Sequence, residues 1–307
     1  MYICMSRDVI IHSGASGICR RPQPHTHTSQ STWPQHQQKL SSWPRLSWEQ
    51  KNSCSPSPPH LPSQQTGADG TKSWEETYRT EIENFACNPD DEGTIWFEET
   101  GAEERMVGFV LDALPEPLAG SVLDVGTGNG HLLFALRDAG FRGTLVGIDY
   151  SAASVALARL IGSRRAAAAA ATAAAATIEA GGVRFEVVDF LHDPVPRVEA
   201  AEGYDMLLDK GTFDAISLSP GAAAATMMAR YPRQVCRALK HGGRLLVTTC
   251  NWTEDEIRSM LECPPAAGDS GVEGRLEWCA RVEYAQGGFV FGGKRGQAVC
   301  TVCFRKV

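Results

Sequence analysis

The stretch SVLDVGTGNGHLLFAL, Ser121 to Leu136, constrains the fold more than any other. An apolar run with the look of a buried strand breaks into Gly126, Gly128 and Gly130, and apolar residues then resume at helical spacing. Glycine tolerates a left-handed backbone and lets another group approach the chain closely. The helix that follows offers N–H groups with no partner inside the helix. The pattern is G-x-G-x-G. In the dinucleotide pattern G-x-G-x-x-G the third glycine falls one place later, where this chain has His131.

Strands and helices alternate from here on. SVLDVG, TLVGID, VRFEVVDF, YDMLLDKG and GRLLVTTCN read as strands, with helices between them. RLEWCARVEY and QAVCTVCF follow with no long helix between them, so they should pair antiparallel. The expected fold is α/β: a Rossmann-like sheet of seven strands, mostly parallel, with a C-terminal antiparallel hairpin. Upstream, Trp74, Tyr78, Ile82 and Phe85 recur at helical spacing. A second amphipathic helix carries Met106, Val107, Val110, Leu111 and Leu114 and stops at Pro115 and Pro117. Ser151 or Ser154 should cap the helix after the second strand, and Thr253 with Glu256 has capping-box spacing.

Residues 1–72 differ in texture. They are rich in Ser, Pro, Gln and His and lack an apolar period, so they read as a disordered low-complexity tail. Residues 73–307 form the folded domain, with alanine-rich surface insertions near 166–176 and in a loop at 222–225. The formal charge of −7 argues against a nucleic-acid partner, and no apolar run approaches a membrane span. The ten cysteines follow no zinc or disulfide spacing, so no metal is expected and a cytoplasmic location is. Cys300 and Cys303 fall on opposite faces of one strand.

The acids carry the chemistry. Asp149 ends the second strand, Asp189 the third and Asp209 the fourth, and Asp124 lies inside the first motif. The carboxyl ends of parallel strands are where such sheets bind ligands. Asp149 suits a ribose diol, Asp189 an adenine amino group and Asp124 an ammonium. An adenosine that carries an amino acid matches this set, which points to S-adenosylmethionine.

VLDVGTGNG, GIDYS, LLDKGTFDAISL and TTCNWTEDE together resemble the seven-strand S-adenosylmethionine-dependent methyltransferases. They most resemble the branch that methylates lysine on translation elongation factor 1-alpha. SWEETYRTEIENF, GTIWFEE and the terminal FVFGGKRGQAVCTVCF extend the resemblance over about 73–307, with a departure at Glu98, where that branch has glycine. The resemblance implies that Gly126, Gly128, Asn129 and Gly130, with Asp124 nearby, line the methionine end of the cofactor. It puts Asp149 and Tyr150 at the ribose, Asp189 and Phe190 at the adenine, and Trp96 over the pocket.

A protein-lysine acceptor on elongation factor 1-alpha follows, for a monomeric enzyme. Asp209, at the rim beyond the fourth strand, is the expected group to position the amine and take its proton. Asn251 and Trp252 are expected to shape the lysine channel. Lys210 is read as a solvated charge or an ion-pair partner of Asp214. A small-molecule acceptor, another protein acceptor and a catalytically silent cofactor-binding module stay open.

Overall fold

The computed structural model describes residues 71–114, 120–171, 182–198, 202–219, 222–262, 274–284, 290–291, 294–295 and 298–307. The expectations for the tail before residue 71 and for the alanines beyond 171 lie outside these residues.

The elements in chain order are α1 (Thr71–Cys87), a 3₁₀ turn (Glu98–Thr100), α2 (Ala102–Ala113), β1 (Ser121–Val125), α3 (His131–Asp138), β2 (Thr144–Asp149), α4 (Ala152–Ala171), β3 (Arg184–Val187), β4 (Tyr204–Lys210), α5 (Thr212–Ser217), α6 (Ala222–Ala238), β5 (Leu239–Thr249), α7 (Glu254–Leu261), β6 (Leu276–Arg281), the two-residue pair β7 (Val290–Phe291) and β8 (Lys294–Arg295), and β9 (Cys300–Lys306). Seven strands form one sheet in the order β3-β2-β1-β4-β5-β9-β6. The first five are parallel, and β9 runs antiparallel between β5 and β6. This is the expected fold class.

Each face of the sheet carries its own core. Val122, Leu145, Phe185, Met206 and Leu208 pack under the first helices with Met106, Leu133 and Leu157. Leu123, Val146, Leu207, Leu245 and Phe304 pack on the other side with Phe213, Tyr231 and Ile257. Side chains alternate along a strand, so neighbouring residues of β1 and β4 serve opposite cores. No helix among the described residues is long and apolar enough to cross a membrane.

The local signals mostly fall where the chemistry puts them. Ser151 Oγ accepts from Ser154 N (3.1 Å) at the start of α4, and Thr253 with Glu256 forms the capping box of α7. Gly140, at φ 103°, closes α3, with Phe141 N bonded to Leu136 O (3.0 Å) and Gly140 N to Arg137 O (3.1 Å). Cys300 and Cys303 share β9, Cys300 partly exposed and Cys303 buried. The first turn of α6 takes in Ala222 to Ala225, which the sequence had suggested as loop; alanine's helix propensity prevails there. β3 stops at Val187, and its last ladder bond runs from Val188 N to Asp149 O (2.9 Å).

Gly126, at φ 68°, leaves no room for a side chain, since a Cβ would sit 2.0 Å from Thr212 Oγ1. Gly126→Ala should therefore lose about 1–2 kcal/mol for the left-handed backbone alone, with the clash adding to it. A urea midpoint equal to wild type would contradict this packing.

Candidate active site

The carboxyl ends of β1, β2 and β4 meet at the glycine turn. Gly126 N and Thr127 N both donate to Ile148 O (2.8 and 2.9 Å), which ties the turn to the end of β2. Gly126, Gly128 and Gly130 all have positive φ, and each lies against a different element. A Cβ on Gly128 would meet the Tyr78 hydroxyl of α1 at 2.6 Å, and one on Gly130 the Phe185 ring of β3 at 2.6 Å.

Asp149, at the end of β2, gathers the donors at this end of the sheet. Its Oδ2 accepts from Gly128 N (3.1 Å) and Ser154 Oγ (2.9 Å), and its Oδ1 from Ser151 N (2.9 Å). Burial still pushes its acidity to a higher pKa than usual. Helix α1 closes on the same place. Glu75 Oε2 accepts from Ser151 Oγ (2.7 Å) and Ala153 N (3.1 Å), adding a carboxylate to the N-terminus of α4. Asn129 Nδ2 donates to Glu92 O (2.9 Å) and Thr94 O (3.3 Å), so the segment before Trp96 is laced to the glycine turn.

A second cluster lies beside Asp124. Glu103 Oε1 is 2.6 Å from His131 Nδ1, and its Oε2 is 3.5 Å from Lys210 Nζ. Burial raises the Glu103 carboxyl, but His131 and Lys210 outweigh it and leave the net value below the usual range. Lys210 Nζ also donates to Trp96 O (3.0 Å). Phe97, held at φ 64°, brings its ring to the Cα side of Gly211, where a Cβ would lie 3.0 Å from it. The Asp-Lys-Gly stretch thus serves as the seat for the Trp96–Phe97 loop. Asp124, whose Oδ2 takes the Thr127 hydroxyl (2.7 Å), is raised by burial to about 7.

The methyltransferase-domain family matches residues 119–282. The protein-lysine N-methyltransferase EFM4 of Saccharomyces cerevisiae is 38% identical over 244 residues, covering 77% of this chain and 94% of that protein. The human EEF1A lysine methyltransferase 2 is 33% identical over 237 residues, 76% of this chain and 84% of that one. The efm4 protein of Schizosaccharomyces pombe is 36% identical over 208 residues, 62% of this chain and 79% of that one. The chain belongs to this family of protein-lysine methyltransferases.

S-adenosylmethionine is the methyl donor of such enzymes, and the residues here suit it. The glycines carry no side chains of their own, and Thr212, Tyr78 and Phe185 pack into the space a Cβ would take, which fixes the course of the turn. Oδ1 of Asp149 accepts one bond from the protein and has a lone pair left for a ribose hydroxyl. Tyr150, next to it, is exposed. Asp189 is half-exposed, with Oδ1 on Leu191 N (2.9 Å) and Oδ2 on His192 Nδ1 (2.8 Å). Trp96 stands edge-on to Trp74, ring centres 5.4 Å apart, at the rim of the turn.

Three expected residues are placed differently. Phe190 is buried against Tyr231 (5.6 Å between ring centres), in the core beneath α6. Lys210 pairs with Glu103, not with Asp214; Asp214 instead accepts from Thr249 Oγ1 and Cys250 N (2.9 Å). Asp209 is not at the rim. It is fully buried, taking Thr212 N (2.8 Å) and Phe213 N (3.1 and 3.2 Å) at the start of α5 and the Tyr231 hydroxyl (2.6 Å). Asn251 is exposed beyond β5, and Trp252 beside it is half-buried with its Nε1 lacking a partner. The amides of both donate to Thr249 Oγ1 (3.1 and 3.3 Å), so the Asp214–Thr249 pair sets the course of the chain there. Glu75, Tyr78, Glu103 and His131 are site residues that the sequence presented only as helix positions.

Burial raises the Asp209 carboxyl from its ordinary 3.8 to about 7. Between those values the folded protein holds a proton that the unfolded chain has released, so stability falls as pH rises from about 4 to about 7. Asp209→Asn should flatten part of that slope, with the other carboxyls that burial raises, Asp124, Asp149, Asp214 and Glu81, keeping the rest. Asp209→Ala should cost roughly 1–3 kcal/mol for each donor left without an acceptor. Thermal melts across this pH range check both, and an unchanged slope in Asp209→Asn would contradict the burial.

Proposed function

We propose that this chain moves a methyl group from S-adenosylmethionine to a lysine amine of translation elongation factor 1-alpha. The observation that carries the acceptor is the likeness to EFM4 and to EEF1A lysine methyltransferase 2 over most of all three chains. The bound cofactor supplies a methyl already activated on a sulfonium.

The chain's own residues bind, orient and exclude water. Asp149 and Tyr150 hold the ribose edge, and Asp189 reaches the adenine end. The backbone of Gly126 to Gly130 approaches the methionine end, where Asp124 offers its carboxylate to the ammonium. Trp96, fixed through its carbonyl by Lys210, walls the site from the N-terminal side. Asn251 and Trp252 border the entry for the lysine.

A lysine attacks only as the neutral amine, and its free pKa of roughly 10.4 must fall. Desolvation in the channel lowers it. Asp209 takes no part in that proton transfer, because its oxygens are committed to Thr212, Phe213 and Tyr231 inside the core. The acidic chain also favours a basic protein partner. A monomeric enzyme of the cytosol, with none of its six described cysteines in a disulfide, fits this reading.

Purified chain, cofactor and elongation factor should give a lysine peptide heavier by one or more methyl units. Asp209→Asn should slow the reaction only in proportion to the folded fraction lost. An unmodified elongation factor beside another labelled lysate protein would overturn the acceptor. A rate loss in fully folded Asp209→Asn with unchanged KM would return Asp209 to the chemistry.

A further inference from the structure

The flank of the domain between α6 and the turn that follows β3 carries a basic groove in an acidic chain. Arg230, Arg233 and Arg237 stand three and four residues apart on α6, so they share one side of that helix. At about 1.5 Å rise per residue they are staggered by about 4.5 and 6 Å. The facing wall is the turn 191–194, which brings His192. The space between the walls is about 500 Å³.

The walls are firmly joined. Gln234 Nε2 donates to Phe190 O (2.8 Å), and Phe190 packs edge-on to Tyr231. Asp193 is the one acid lining the groove, and its Oδ2 is already spent on Asp189 N (3.0 Å) within its own turn. Arg230 and Arg237 are exposed and enter none of the described ion pairs, and Arg237 is braced by Gln234 Oε1 (2.9 Å). Like charges one helical turn apart repel, so clustering three arginines on one side of α6 carries a cost for the helix. The chain as a whole is at −7, so the groove carries the sign opposite to the chain's net charge.

We propose that this groove docks an acidic stretch of the protein substrate, holding it while a lysine elsewhere on that substrate enters the active site. The proposal rests on the protein-acceptor reading above. Carboxylates two apart on an extended segment lie about 6.6 Å from each other, which suits the arginine stagger. Arginine's planar fork takes carboxylates in pairs. A long polyanion such as RNA would meet the −7 of the remaining surface, whereas a short acidic segment meets only the groove. The groove is hung on the turn that presents Asp189, through His192 Nδ1 at 2.8 Å from Asp189 Oδ2, so the docked segment would lie beside the cofactor end of the sheet.

The test uses the full chain and a fluorescein-labelled peptide of six glutamates, with a single-stranded RNA oligonucleotide as the competitor. Wild type should bind the peptide, more weakly as salt rises. Arg230→Gln with Arg237→Gln should weaken it at least tenfold while leaving cofactor affinity and the melting temperature unchanged. The same double variant should raise KM for the elongation factor several-fold with kcat preserved. Equal peptide binding by wild type and variant overturns the proposal, as does RNA that binds more tightly than the peptide and displaces it. Peptide binding does not depend on the acceptor's identity. If the peptide binds at the arginines while elongation factor 1-alpha stays unmodified, the acceptor reading falls and the groove stands.

Discussion

The carboxylate of Asp149 is the fastening on which this end of the molecule depends. Three pieces of chain donate to it: the glycine turn through Gly128 N, the start of α4 through Ser151 N, and the second residue pair of α4 through Ser154 Oγ. None of these donors has a strong reason to be here on its own. The turn needs left-handed glycines, and the helix start needs acceptors for its free amides. One buried acid satisfies both and keeps a lone pair over. Glu75 then adds α1 to the assembly, and Tyr78 lies directly over Gly128. The pocket wall and the sheet end are therefore one hydrogen-bonded unit.

Two acids next to this unit show how the pleat divides their work. Asp124 pairs in register with Leu208, and Val125 with Asp209. A shift of one residue changes the face. Asp124 stays with the side of α2 and α3, where Lys210 and Glu103 also lie. Asp209 goes to the side of α5 and α6, where Tyr231 and two amides hold it. Burial brings both carboxyls to about 7, yet only Asp124 stands by the glycine turn. The same number thus marks an acid beside the glycine turn in one case and an internal helix cap in the other.

Much of this was legible beforehand. The strands announce themselves as apolar runs, and the lack of a long helix between β6 and β9 points to the antiparallel end. Glycines two apart after a strand gave the turn, and Asp149 followed from its place at the end of β2. What sequence could not give was direction. Nothing local tells whether Asp209 points to the channel or to Tyr231, twenty-two residues away. Glu103, His131 and Lys210 come from α2, α3 and β4, and only the fold makes them neighbours. The resemblance put Phe190 at the adenine; its ring is buried against Tyr231, where a large apolar side chain gains most. The alanines at 222–225, expected as a low-complexity loop insertion, are helix, as their own propensity favours.

The central claim is that the Asp149 assembly is the cofactor site, and calorimetric titration with S-adenosylmethionine tests it most directly. At pH 7, in two buffers of different ionisation heat, wild type should bind and release a fraction of a proton, because a cationic ligand lowers the Asp124 carboxyl from about 7. Asp149→Asn, shown to be folded by circular dichroism, should lose on the order of 1.5–3 kcal/mol for each charge-assisted ribose bond it no longer makes. Folded Asp149→Asn that binds S-adenosylmethionine as tightly as wild type would contradict the account.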